Sequence, residues 1–114
     1  MNRKKIGDAG ESFAVDFLVK HGMKIIDRNF YTKYGEIDII FKDGKYIVFA
    51  EVKDRMGTAW GSSLDAVTYS KTRKIYNSAR IYLYSKGMSE NTYIRFDVLA
   101  IQNGEINWIK NAFC

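Results

Sequence analysis

The chain has 114 residues, and 18 lysines and arginines against 13 aspartates and glutamates give it a formal net charge of +5. A hydrophobic fraction of 46% is enough for a packed core, which excludes a disordered chain and favours one domain over residues 1–114. One cysteine and one histidine exclude an internal disulfide and a Cys/His zinc cage, and they leave little room for histidine-dependent serine or cysteine catalysis. No apolar run resembles a membrane span or signal peptide, and no glycine-rich phosphate loop occurs. We therefore expect a cytoplasmic protein without membrane attachment or nucleotide cofactor.

The N-terminal part of the chain predicts one helix followed by one strand. From about Lys4 to Lys20, apolar and small residues recur at helical spacing, and His21-Gly22 then offers a glycine for a left-handed helix cap. Residues 24–31 are rich in β-formers, although Asp27-Arg28-Asn29 interrupts the alternation.

The clearest pattern in the sequence is a β-hairpin over residues 34–53. Two β-rich runs flank Asp43-Gly44, a favoured pair for a two-residue type I′ turn. This turn alone predicts the register of the two strands. The expected facing pairs are Lys42 with Lys45, Asp38 with Phe49, and Glu36 with Glu51.

The rest of the chain predicts a loop, a second helix and a second hairpin. The loop runs from Asp54 to Ser62, and the helix begins at Ser62 or Ser63 and ends near Lys86-Gly87. Strands are expected over residues 92–102 and 105–110, around a second turn at Asn103-Gly104. The order α-β-β-β-α-β-β predicts an α/β domain with a mixed β-sheet flanked by helices.

Charged residues collect on one face of the first hairpin, at the end away from its turn. Two interpretations are open. In the first, the charges form an ordinary solvated face. In the second, they form a metal site, since carboxylates that are neighbours on adjacent strands destabilise one another unless a cation or proton intervenes. Oxygen ligands with open water positions suit Mg²⁺ or Mn²⁺. The residues concerned are Glu36, Asp38, Glu51 and Lys53.

Asp38, with Glu51-Val52-Lys53 on the next strand, resembles the D…(D/E)-X-K signature of the PD-(D/E)XK nuclease superfamily. More narrowly, the chain resembles the YraN-like family of small bacterial proteins, which is similar to archaeal Holliday junction resolvases. The resemblance implies a restriction-endonuclease-like fold. It covers Gly10-Glu11, Arg28-Asn29, Gly35-Glu36-Ile37-Asp38, Phe49-Ala50-Glu51-Val52-Lys53 with Arg55, Lys71, Arg95-Phe96-Asp97 and Asn111-Ala112-Phe113.

The resemblance also implies roles at the site. Asp38 and Glu51 would bind Mg²⁺ or Mn²⁺ together with the backbone carbonyl of Val52. Lys53 would activate water or stabilise the developing negative charge.

Two further glutamates are candidates beside these residues. In related resolvases a helix glutamate completes the metal site, and Glu11 is the matching residue. Its own pattern, taken alone, favours a surface glutamate. Glu36 shares the face of Asp38 and is expected to have a supporting role, either in the adjoining loop or as a partner of Lys53.

Residues 66–89 contain several bases and no acid, so the second helix is the expected source of positive charge toward DNA. Scattered helix charges usually form a solvated face, but Lys71 lies at helical spacing from Val67 and Ile75, on the side toward the sheet. The residues expected to contact nucleic acid are Arg55, Lys71, Arg73, Lys74 and Arg80.

Together these features predict a Mg²⁺- or Mn²⁺-dependent endonuclease that hydrolyses DNA phosphodiester bonds, including those of branched, recombination or repair intermediates. The alternative is a nucleic-acid-binding or assembly module that keeps the fold with little or no cleavage. Symmetric cutting of two strands would require a homodimer, for which the expected exposed apolar residues Ile106, Trp108 and Ile109 are candidate contacts. Arg95 and Asp97 are expected to form a structural ion pair.

Overall fold

A computed structural model describes residues 2–54 and 69–112. The predicted order α-β-β-β-α-β-β is confirmed. The predicted start of the second helix at Ser62 or Ser63 and most of the loop before it lie outside the described residues. The elements are α1 (Asn2–Lys20), β1 (Lys24–Thr32), β2 (Gly35–Asp43), β3 (Tyr46–Asp54), α2 (Tyr69–Ser85), β4 (Ile94–Gln102) and β5 (Glu105–Ile109).

The strands form one mixed sheet in the order β1-β2-β3-β4-β5. Three neighbouring pairs are antiparallel, whereas β3 and β4 run parallel. A parallel pair needs a crossover connection, and α2 lies in the segment that supplies it. None of the helices in the described part of the chain has the length and apolar character needed to span a membrane.

The turn between β2 and β3 differs from the prediction by one residue. Asp43 pairs with Tyr46, so Gly44 and Lys45 form the turn. Gly44 has a φ of 60°, and Lys45 is not among the residues with positive φ, which is the pattern of a type II′ turn and not of type I′. Asp43 stays in the strand, where its Oδ2 atom lies 2.9 Å from Nη1 of Arg95.

This turn makes the predicted register of the first hairpin wrong by two residues. Phe49 faces Ile40, where Asp38 was expected. A shift of two residues preserves the alternation of side chains between the faces of a sheet. The second turn is as predicted: Asn103 and Gly104 have φ values of 54° and 77°, the pattern of a type I′ turn.

Each helix covers one face of the sheet. On the α1 side, Ala14 and Leu18 are fully buried against the central strands. On the α2 side, Ala79 and Tyr82 pack on the aromatic side chains of β3 and β4. The sheet residues of the α1-side core are Ile39, Phe41, Val48, Ala50 and Leu99, and those of the α2-side core are Ile37, Ile40, Ile47, Phe49 and Phe96.

Arg95 and Asp97 form an ion pair within β4, as predicted. Asp97 is fully buried and accepts hydrogen bonds from Nε and Nη2 of Arg95, each at 2.9 Å. The indole N–H of Trp108 and the backbone N–H of Asn111 also donate to it, each at 2.9 Å. This carboxylate therefore fixes β5 and the chain after it to the sheet.

The apolar residues of β5 are not exposed, contrary to the prediction. Ile106, Trp108 and Ile109 are all half-buried. The Trp108 ring lies 6.0 Å from that of Phe17 and 6.1 Å from that of Phe41, because the C-terminal part of α1 extends over this edge of the sheet. Ile106 and Trp108 pack against the α1-side core.

Replacement of Asp97 by alanine is expected to lower the free energy of unfolding by about 3–5 kcal/mol, because it leaves the half-buried Arg95 and two N–H donors without their acceptor. Urea unfolding measures this loss. Asp16→Ala removes an exposed carboxylate of α1 and is expected to change stability by less than about 0.5 kcal/mol. Equal stability of the two variants would contradict the structural role of Asp97.

Candidate functional site

The site begins where β2 and β3 separate. The pairing of these strands ends at Ile39 and Ala50. Beyond this pair, the backbone N–H of Val52 donates to Oδ2 of Asp38 at 2.8 Å. A side-chain carboxylate thus takes the place of a main-chain acceptor, which lets the strands separate without leaving this N–H unpaired. Regular alternation would place Ile37 on the same face as Ile39, but Ile37 belongs to the α2-side core, so the alternation of β2 breaks near Asp38.

Three carboxylates meet at this separation. One oxygen from each of Glu11, Glu36 and Asp38 lies within 4.8 Å of the others. We name these residues the acid cluster. Glu11 is 8% exposed, so the surface position favoured by its own sequence pattern is wrong. α1 lies close to β3 at this point. A Cβ atom added to Gly10 would lie only 2.7 Å from Oδ2 of Asp54.

The acid cluster changes the ionisation of Asp38. Burial raises the pKa of Asp38, and the negative charges of Glu11, Glu51 and Glu36 raise it further, to about 7. The hydrogen bond from Val52 favours the charged form but does not offset these effects. Near neutral pH the Asp38 carboxyl therefore holds a proton about half of the time, and a bound cation would favour its ionised form.

Glu51 forms a second group with two lysines. Its Oε2 atom lies 3.3 Å from Nζ of Lys53 and 2.5 Å from Nζ of Lys71, which comes from α2. Oε1 of Glu51 is buried and has no hydrogen-bond partner among residues 2–54 and 69–112. One oxygen is thus neutralised by ammonium groups, and the other is an acceptor without a donor in the described part of the chain.

The two lysines lie close to one another as well as to Glu51. Burial lowers the pKa of Lys53, and the neighbouring Lys71 ammonium lowers it further. Burial also opposes the charged form of Lys71, but its contact with Glu51 outweighs this effect and the pKa rises. Glu51 is therefore the shared counter-charge of both ammonium groups.

The donor set fits a divalent cation. Carboxylate oxygens are the ligands that Mg²⁺ and Mn²⁺ prefer, and both the acid cluster and the buried Oε1 of Glu51 supply them. Asp38 and Glu11 come together as the resemblance implies. Glu51 is outside the acid cluster, and Glu36 takes part in it. Glu36 and Asp38 are two residues apart on one strand, which directs both side chains to the same face. This spacing is the sequence signal that Glu36 lies near Asp38.

The predicted basic residues divide between the site and the surface. Lys71 lies at the site, whereas Arg73, Lys74 and Arg80 are exposed on α2, a helix that contains no acid. Arg55 lies outside the described residues. Sequence reasoning missed the Lys71–Glu51 ion pair. A lysine on the sheet-facing side of a helix requires an acidic partner, and this requirement is the signal that could have revealed the pair.

The raised pKa predicts that Asp38 destabilises the fold as pH rises. The pKa of Asp38 is about 7 in the folded protein, whereas its ordinary pKa is 3.8. Folding therefore takes up a proton between these values, and the free energy of unfolding falls as pH increases. Asp38→Asn stays neutral and keeps an acceptor for Val52. Its stability advantage over the unsubstituted protein should grow by about 2–3 kcal/mol between pH 5 and pH 8.

Urea unfolding at both pH values, in EDTA, measures this difference. Asp16→Asn, at an exposed position, is the control and should follow the pH dependence of the unsubstituted protein. The same pH dependence in Asp38→Asn would contradict the assignment.

Comparison with known proteins agrees with the resemblance. Residues 10–101 match the model of "Uncharacterised protein family UPF0102", the YraN-like family. A UPF0102 protein of Clostridium botulinum (strain Loch Maree / Type A3) is 44% identical over 116 residues, covering 96% of this chain and 94% of the relative. A UPF0102 protein of Vibrio campbellii is 43% identical over 114 residues, covering 97% and 93%. The chain therefore belongs to the UPF0102 family.

Proposed function

We propose that the protein is a Mg²⁺- or Mn²⁺-dependent endonuclease that hydrolyses DNA phosphodiester bonds. The observation that carries this proposal is the meeting of the acid cluster with the Glu51–Lys53–Lys71 group where β2 and β3 separate. Such a concentration of like charge costs stability, and carboxylates perturbed in this way concentrate at functional sites. A cation would relieve the repulsion and give the carboxylates a chemical task.

The proposed roles follow from the contacts. Glu11 and Asp38, supported by Glu36, would hold the cation, and the buried Oε1 of Glu51 would add a ligand. The Val52 carbonyl would add another, as the resemblance implies. When bound, such an ion lowers the pKa of a coordinated water and neutralises phosphate oxygens.

The two lysines take different tasks in this proposal. Lys53, with its Nζ 3.3 Å from Oε2 of Glu51, activates the attacking water or stabilises the negative charge that develops. Lys71 remains charged, orients Glu51 and stabilises negative charge at the reacting phosphate.

The exposed basic residues of α2 attract the DNA backbone. Arg73, Lys74 and Arg80 lie on the helix that also carries Lys71, so a backbone bound there would run toward the site. A twofold homodimer would place two such sites for paired cuts in a branched substrate. A cytoplasmic location is part of the same proposal.

Cleavage of a labelled four-way junction and a linear duplex, in Mg²⁺ or Mn²⁺, tests the proposed activity. Asp38→Asn, Glu51→Gln and Lys53→Ala are each expected to reduce the cleavage rate at least about 100-fold, because each removes a ligand or a charge that acts in the transition state. Mn²⁺ should also raise the midpoint of thermal unfolding of the unsubstituted protein but not that of Asp38→Asn.

Glu105→Gln is the matched control, since it neutralises an exposed acid of β5. Equal cleavage by the unsubstituted protein and all three site variants would rule out this active site. Salt-dependent DNA binding with no cleavage in either metal would instead favour the binding module.

Lys71 and Lys74 allow the role at the site to be separated from general attraction of DNA. Both belong to α2, but Lys71 contacts Glu51 and Lys74 is exposed. At saturating protein, Lys71→Ala should lower the single-turnover rate by about tenfold or more. Lys74→Ala should weaken binding and reduce its salt dependence without changing that rate. Equal rates at saturation for the two variants would contradict the proposed role of Lys71.

A further inference from the structure

An open groove of ≈ 550 Å³ lies between α2 and the turn that joins β1 to β2. The helix contributes Asn77, Arg80, Ile81 and Tyr84, which follow the spacing of one helix face. The turn contributes Lys33 and Tyr34. The groove is outside the acid cluster, and none of the proposed catalytic residues lines it.

The walls of the groove carry exposed aromatic rings beside cations. Tyr84 is 88% exposed and Tyr34 is 38% exposed. Nζ of Lys33 lies 5.3 Å from the centre of the Tyr34 ring, and Arg80 is exposed on the helix side. Among the described lining residues, Glu90 is the one acid. Rings that can stack on bases, combined with cations that can bind phosphate, are the components of a surface for single-stranded nucleic acid.

The position of the groove connects it with the proposed active site. Tyr34 precedes Glu36 by two residues, which corresponds to about 7 Å along an extended chain. From Asn77 to Tyr84, α2 then extends the groove by about 10 Å. The strong exposure of Tyr84 suits a strand that passes over the surface better than a small ligand that must be enclosed.

We propose that this groove binds an unpaired DNA strand next to the scissile phosphate, with bases stacked on Tyr34 and Tyr84 and phosphates bound by Lys33 and Arg80. The proposal deepens the proposed function, on which it rests for the link to cleavage. It makes the substrate class DNA with a single-stranded arm or an opened branch. Binding in the groove itself requires neither the metal nor the acid cluster.

Fluorescence anisotropy with labelled 12-nucleotide oligo(dT) and a blunt 12-base-pair duplex, in EDTA, tests this proposal. Tyr34→Ala, Tyr84→Ala and Arg80→Ala should each weaken oligo(dT) binding about fivefold or more, and the two tyrosine variants should have a smaller effect on the duplex. Tyr93→Ala is the matched control, because Tyr93 is 55% exposed and packs against Tyr46 outside the groove. Circular dichroism and thermal unfolding check that each variant is folded.

Unchanged oligo(dT) affinity in all three groove variants would overturn the proposal. Equal losses for oligo(dT) and duplex in the two tyrosine variants would also overturn it, since they would indicate general attraction to phosphate and not base stacking. Asp38→Asn should still bind oligo(dT) at least as tightly as the unsubstituted protein. This result, together with an absence of cleavage in all proteins, would refute the nuclease and leave the groove proposal standing.

Discussion

The hydrogen bond from the Val52 N–H to Asp38 is the contact on which the candidate site depends. It forms where the pairing of β2 with β3 stops, and it satisfies a backbone donor that strand separation would otherwise leave unpaired. The separation allows the acid cluster to form, and Glu51 lies beside it with two lysines. The helices packed on the two faces hold the strands on either side of this opening, so the hydrophobic core supports an arrangement of charge that repels itself.

Two buried aspartates in the same sheet illustrate opposite solutions to the burial of charge. Asp97 accepts hydrogen bonds from a guanidinium, an indole and a backbone amide, and it joins β5 to the sheet. Asp38 accepts a hydrogen bond from one backbone amide, and burial followed by the neighbouring carboxylates raises its pKa. The first arrangement stabilises the fold. The second opposes it, and groups whose ionisation is perturbed in this way concentrate at functional sites.

The sequence predicted those features that depend on local pattern, and it failed where a distant contact decides. Element order, the Asn103-Gly104 turn and the Arg95–Asp97 pair follow from periodicity and short-range chemistry. The register of the first hairpin does not, because Asp43 stays in its strand in contact with Arg95, far away in the chain. The same reason explains the missed Lys71–Glu51 pair, since α2 reaches β3 only in the folded protein. At the site, the shared face of Glu36 and Asp38 was visible in the sequence and the resemblance added Glu11, but the position of Glu51 outside the acid cluster was not foreseen.

The distribution of charge makes metal binding and DNA binding interdependent in the proposed enzyme. The acid cluster repels a phosphate, whereas the bases of α2 attract it. The net charge of +5 is thus the sum of a negative region and a positive region with opposite effects on DNA. A cation held by Asp38 and Glu11 would remove the repulsion and strengthen DNA binding. By thermodynamic reciprocity, bound DNA would strengthen cation binding by the same factor. Without the cation, DNA affinity must come from α2 and the groove beside it. Attraction of the substrate and activation of the site thus depend on separate residues of one small domain.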